Sequence, residues 1–116
     1  MAVKLAVKSV DNGVSIFILS GTLDAPGTID VEGEFQNLLR EKGGKIIVDL
    51  SGLDYMSSYG LRMLLLGAKR LAEAGGEMHL AAPKPRVMEL IKLAGYDTIF
   101  PVHTALDDAL QSTAAT

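Results

Sequence analysis

The chain contains no cysteine, which excludes disulfides, thiolate metal sites and cysteine nucleophiles and fits a reducing compartment. It has no surplus of positive charge: 11 Lys and Arg stand against 14 Asp and Glu, for a net charge of −3. Such a balance offers no basic surface to neutralise the phosphates of a duplex, so nucleic acid is not expected as a partner. Long apolar runs are also missing. The longest, such as Met63 to Leu66, fall far short of the roughly 20 residues that cross a bilayer. The N-terminal MAVKLAVKSVDNG alternates where a signal peptide would be continuously apolar. The expectation is a cytoplasmic protein without direct membrane insertion.

Histidine is scarce. His79 falls inside a strand-like run and His103 just after another, and each reads as a partly exposed strand residue making ordinary hydrogen bonds. With no cysteine and no His-x-x-Glu pattern, no metal site is expected. Glu41-Lys42-Gly43-Gly44-Lys45 leads into a strand instead of out of one, the reverse of a phosphate-binding loop, and reads as a helix C-cap followed by a turn. No cofactor is expected.

What the sequence does have is clear periodicity. At 116 residues it is long enough for one domain with a real core. Val3, Leu5 and Val7 alternate with Lys4 and Lys8, Asp11-Asn12-Gly13 supplies a turn, and Val14, Ile16 and Ile18 resume the alternation. That is a β-hairpin. The chain is irregular around Asp24-Ala25-Pro26-Gly27, after which Ile29, Phe35, Leu38 and Leu39 recur at near-helical spacing up to Gly43-Gly44. Ile46 to Leu50 reads as a short strand buried on both faces, and Ser51 to Met56 as a crossing.

A strongly amphipathic helix begins near Tyr59, carries Leu61, Leu64, Leu65, Ala68, Leu71 and Ala72 on one face, and ends at Gly75-Gly76. Glu77 to Ala82 then reads as a strand, Pro85 to Ala94 as a helix, Ile99 to Val102 as a last strand and Ala105 to Gln111 as a terminal helix. Thr104 and Asp107 have the spacing of a capping box, and 111–116 read as a frayed tail. Strand and helix alternate from Lys45 onward, so parallel pairing through crossovers is expected. The fold class is α/β: one domain over 1–116, with a mixed β-sheet opened by an antiparallel hairpin and continued by β/α crossover units with packed helices.

Ser57 and Ser58 stand between the strand region and the amphipathic helix. A hydroxyl at a helix start can cap the unpaired backbone N–H groups or carry a phosphate that the helix dipole tolerates. A hydrolase nucleophile would need G-x-S-x-G, and Met56-Ser57-Ser58-Tyr59-Gly60 supplies only the last glycine. Asp49 and Asp54 flank the crossing without forming an acid/base pair, and Asp49 is expected to accept from loop N–H groups. An enzyme is not expected.

Nearly the whole chain resembles STAS domains, and most closely stand-alone bacterial anti-sigma factor antagonists. Gly21-Thr22-Leu23-Asp24 matches the family's Gly-x-Leu-Asp, VDLSGLDYMSSYGLRMLL matches the signature around its Asp-Ser-x-Gly-Leu core, and GGEMHLAAPKPRVMELIKLAGYDTIF is similar to its third helix and surroundings. The resemblance implies partner switching that regulates sigma-factor-dependent transcription. The unphosphorylated antagonist binds an anti-sigma factor that is also a serine kinase, phosphorylation weakens the complex, and a phosphatase resets it.

The serine that follows the motif's aspartate falls on Ser58, with Ser57 as the alternative acceptor. The implied partner-binding residues are Asp24, Ser57, Ser58, Tyr59, Gly60, Leu61 and Arg62. Two positions depart from the pattern: Ser57 replaces the aspartate, and Tyr59 stands where a small residue is usual. Tyr59 reads either as an interface anchor or as packing on its own domain. The alternative function is a non-phosphorylated STAS subunit of a transporter, lipid-trafficking or sensory complex.

Overall fold

The computed structural model describes residues 2–114. The hairpin pairs β1 (Lys4–Ser9) with β2 (Val14–Leu23) antiparallel. Its turn places Asn12 and Gly13 at φ 64 and 74, the left-handed region that these two residue types enter most readily. α1 (Ala25–Lys42), β3 (Lys45–Met56), α2 (Ser58–Glu73), β4 (Glu77–Ala81), α3 (Pro85–Leu93), β5 (Val102–His103) and α4 (Leu106–Ala114) follow. The sheet order is β1-β2-β3-β4-β5, and every pair after the hairpin is parallel, as the alternation of strand and helix predicts.

Strand periodicity divides the core between two faces. Ile46, Val48 and Leu50 of β3, with Met78 and Leu80 of β4, join Phe35 and Leu39 of α1, Leu61 and Leu64 of α2 and Ile91 of α3 in the main cluster. Ile47 and Ala81 face the other way and pack with Val14, Ile16 and Ala109 of α4. Phe17 and Phe35 meet edge to face at 5.8 Å and fix α1 on β2. The expected core face of α2 is present at Leu61, Leu64 and Leu71, while Ala72 is exposed and Met63 buried.

Four boundaries differ from the sequence reading. β3 continues to Met56 instead of ending at Leu50. Beyond the Asp49↔Ala81 pair it loses β4 as a neighbour and keeps only β2, so its tail exposes Ser51, Asp54 and Tyr55 and reads as a loop. α1 begins at Ala25, because the Asp24 carboxylate caps it and Pro26 fits the first turn. Ile99 is exposed and Tyr96–Thr98 forms a 3₁₀ turn after Gly95, which leaves only Val102 and His103 to pair with β4.

The terminal helix, fourth, reaches Ala114, so 111–114 are helical and not a frayed tail. Thr113 is buried, with its hydroxyl donating to the Ala109 carbonyl at 3.0 Å. The last two residues of the expected tail lie outside the described residues. Thr104 donates to Asp108 at 3.3 Å, and the expected reciprocal cap with Asp107 does not form. Gly43 takes the C-cap role read from the sequence, its N–H donating to the Leu39 carbonyl at 2.9 Å.

Candidate partner-binding site

Parallel pairing carries β2 and β3 past the core together, through bulges after Ile18 and Gly21, to the pair Leu23↔Met56. The residues that follow these two, Asp24 and Ser57, therefore come to one end of the sheet. Each caps the helix it precedes. Asp24 Oδ1 accepts from the Gly27 N–H at 2.8 Å, and Ser57 Oγ accepts from the Gly60 N–H at 3.5 Å. Ser57 is further tied to β2: its N–H and its hydroxyl both donate to the Leu23 carbonyl, at 2.9 and 3.3 Å.

Ser58, the first residue of α2, is exposed, and its hydroxyl has no hydrogen-bond partner among the described residues. The adjacent serines are thus physically different groups, one committed to the backbone and one open. Tyr59 is 60% exposed, which leaves much of it open as a contact surface while the rest is covered by its own domain. Together with Ile29, Thr28, Glu32 and Arg62 it lines a groove of about 440 Å³ between α1 and α2. Ile29, expected among the apolar positions of α1, is 79% exposed; Val31, Phe35 and Leu39 form the buried face.

Gly60 and Leu61, implied as partner contacts, are both buried. A Cβ on Gly60 would lie 2.7 Å from Leu23 Cδ2 and 2.9 Å from Met56 Cγ. The residue permits α2 to sit against the strand ends, and with Leu61 it lies beneath the exposed side chains of Ser58 and Tyr59. Arg62 is exposed beside Tyr59. Sequence reasoning missed Ile29, Tyr55, Arg86 and Leu93, all of them exposed around the start of α2. Their signal is an apolar or basic side chain outside the buried stripe of its own element.

The histidines sit elsewhere. His79 and His103 belong to the α4 face of the sheet, since their strand neighbours Leu80 and Val102 belong to the opposite face. His103 is half-buried as expected, but His79 is buried instead of partly exposed, because it faces α4 from a central strand, with Nδ1 2.9 Å from His103 Nε2 and Nε2 2.8 Å from Glu77 Oε1. The rings stack at 5.2 Å. Burial lowers the His103 pKa, the His79 charge lowers it further, and Asp108 opposes both. Asp49 Oδ1 accepts from the Ser51 N–H at 3.0 Å, the role expected of it. Among the described residues no helix is long and apolar enough to cross a membrane, and no cluster of His, Asp and Glu could hold a metal ion.

The second and third strands of this mixed α/β sheet deliver two capped helix starts to one end. The STAS domain model matches residues 6–109, and this chain belongs to that family. It is 35% identical over 106 residues to BtrV of Bordetella bronchiseptica, named as an anti-sigma factor antagonist, covering 91% of this chain and 90% of that protein. The crystal structure of an anti-sigma factor antagonist from Mycobacterium paratuberculosis is similar with a TM-score of 0.88 at 27% identity, covering 97% of this chain and 95% of the other. The Bacillus cell fate determinant SpoIIAA, in its phosphorylated form, shares the fold with a TM-score of 0.72 at 17% identity, over 94% of this chain and 98% of that one.

Proposed function

We propose that this protein is an anti-sigma factor antagonist switched by phosphorylation of Ser58. In the unmodified state the surface formed by Asp24, Ser58, Tyr59 and Arg62 binds an anti-sigma factor and frees its sigma factor. The anti-sigma factor acts as the serine kinase, a phosphatase restores the unmodified state, and all of these partners are cytoplasmic. The names of the relatives support the antagonist role, and the phosphorylated form of SpoIIAA supports a switch of this kind.

The observation that carries the choice of acceptor is the contrast between the two hydroxyls. Ser57 Oγ is shared between the Gly60 N–H and the Leu23 carbonyl, whereas the Ser58 hydroxyl is exposed and without a hydrogen bond among the described residues. A phosphoryl group on Ser58 brings about −1.5 to −2 charges to the surface without removing a cap, so the fold survives while docking is opposed. Incubation with ATP and the cognate anti-sigma factor, followed by mass-spectrometric mapping, tests this. Phosphate on Ser58 is the expected result; phosphate on neither serine, with complex formation indifferent to Ser58→Glu, overturns it.

A further inference from the structure

Ser58 opens onto a second groove, about 420 Å³ in volume, between the end of β3, the start of α2 and α3. Tyr55, Ser58, Arg86, Glu89 and Leu93 are among its lining residues. Arg86 is the only cationic side chain in that lining, it is exposed, and no hydrogen bond or ion pair engages it among the described residues. The neighbouring cations are otherwise placed. Lys84 is held by Asp54, and Arg62 faces the groove of Ile29 and Tyr59, which Ser58 does not line. An unpaired guanidinium therefore shares a concave surface with the exposed Ser58 hydroxyl at the start of α2.

Resting on the phosphorylation reading above, we propose that Arg86 is the intramolecular partner of the phosphoryl group on Ser58. The modified side chain lies across the groove onto α3 instead of standing in solvent. A guanidinium presents parallel N–H donors that match two phosphate oxygens, which gives the pair a fixed geometry as well as charge neutralisation. Glu89 lines the same groove; its carboxylate repels the phosphoryl group and confines it to the Arg86 side. Phosphorylation then changes the surface twice. It adds negative charge, and it withdraws a guanidinium that an acidic group of the partner can use while Ser58 is unmodified.

The test uses the chain with phosphoserine installed at position 58 during translation, so that no kinase is involved, and ³¹P NMR titration of the phosphate. Free phosphoserine loses its second proton near pH 6. In the otherwise unchanged chain the titration is expected about half a pH unit below that of the Arg86→Gln variant, a modest gap because the pair is exposed to solvent. Arg86→Lys recovers part of the shift, Glu89→Gln extends it, and added salt narrows it. Superimposable titrations with and without Arg86 overturn the proposal. The outcome is separate from kinase mapping: a chain that no kinase modifies would refute the switch, while the titration would still report whether Arg86 holds the phosphate.

Discussion

The carbonyl oxygen of Leu23 accepts from both the N–H and the hydroxyl of Ser57, at 2.9 and 3.3 Å. This double tether closes the gap between the ends of β2 and β3 and sets where α2 begins. It also explains how a serine can occupy the position that carries an acid in the family pattern. The hydroxyl does the local structural work of capping without contributing a charge.

Removing that hydroxyl has a predictable cost. Ser57→Ala is expected to destabilise the protein by about 1 kcal/mol through loss of the cap, seen as a lower urea midpoint with an unchanged slope. Ser58→Ala, at an exposed position, is expected to stay within about 0.5 kcal/mol of the parent.

Gly60 is expected to resist even a methyl group. The added Cβ would approach Leu23 Cδ2 to 2.7 Å, so Gly60→Ala should cost about 1–3 kcal/mol by overpacking. Equilibrium unfolding in urea measures it, and a neutral result would mean that α2 shifts freely against the strand ends.

Tyr59 and Ile29 are expected to matter for binding and not for folding. Both are exposed and line one groove. Truncation of Tyr59 to alanine should weaken the complex with the anti-sigma factor by about 2 kcal/mol, roughly thirtyfold, with stability changed by less than about 0.5 kcal/mol. Calorimetric titration and urea unfolding of the same variant separate the two effects.

His103 sets a pH dependence. Burial, reinforced by the charge of His79, lowers the His103 pKa below its ordinary value of 6.5, so the folded state binds this proton less readily than the unfolded chain. Stability from this group is complete above about pH 6.5 and falls as pH drops through the lowered folded value. His103→Gln should flatten that part of the profile, as followed by urea midpoints between about pH 7.5 and 5.

Much of the fold is legible in the sequence because the strands and helices have different apolar periods. The alternation of β1 and β2 and the stripe of α2 each fix an element and the face it buries. The tail of β3 was hidden for a physical reason: it pairs only with β2 beyond Asp49, so its polar, exposed residues resemble a loop. Gly60 and Leu61 lie in the motif, yet only packing reveals that they support the surface from beneath. Arg86 is distant in sequence from Ser58, and only the placement of α3 beside the start of α2 brings it into the same groove.

In the proposed switch, one open hydroxyl, that of Ser58, controls docking. Isothermal titration of the cognate anti-sigma factor with unmodified chain, and with chain carrying phosphoserine at position 58, tests it most directly. Tight binding of the unmodified protein is expected, with at least a tenfold loss on modification, about 1.4 kcal/mol or more. Equal affinity of the two forms would contradict it.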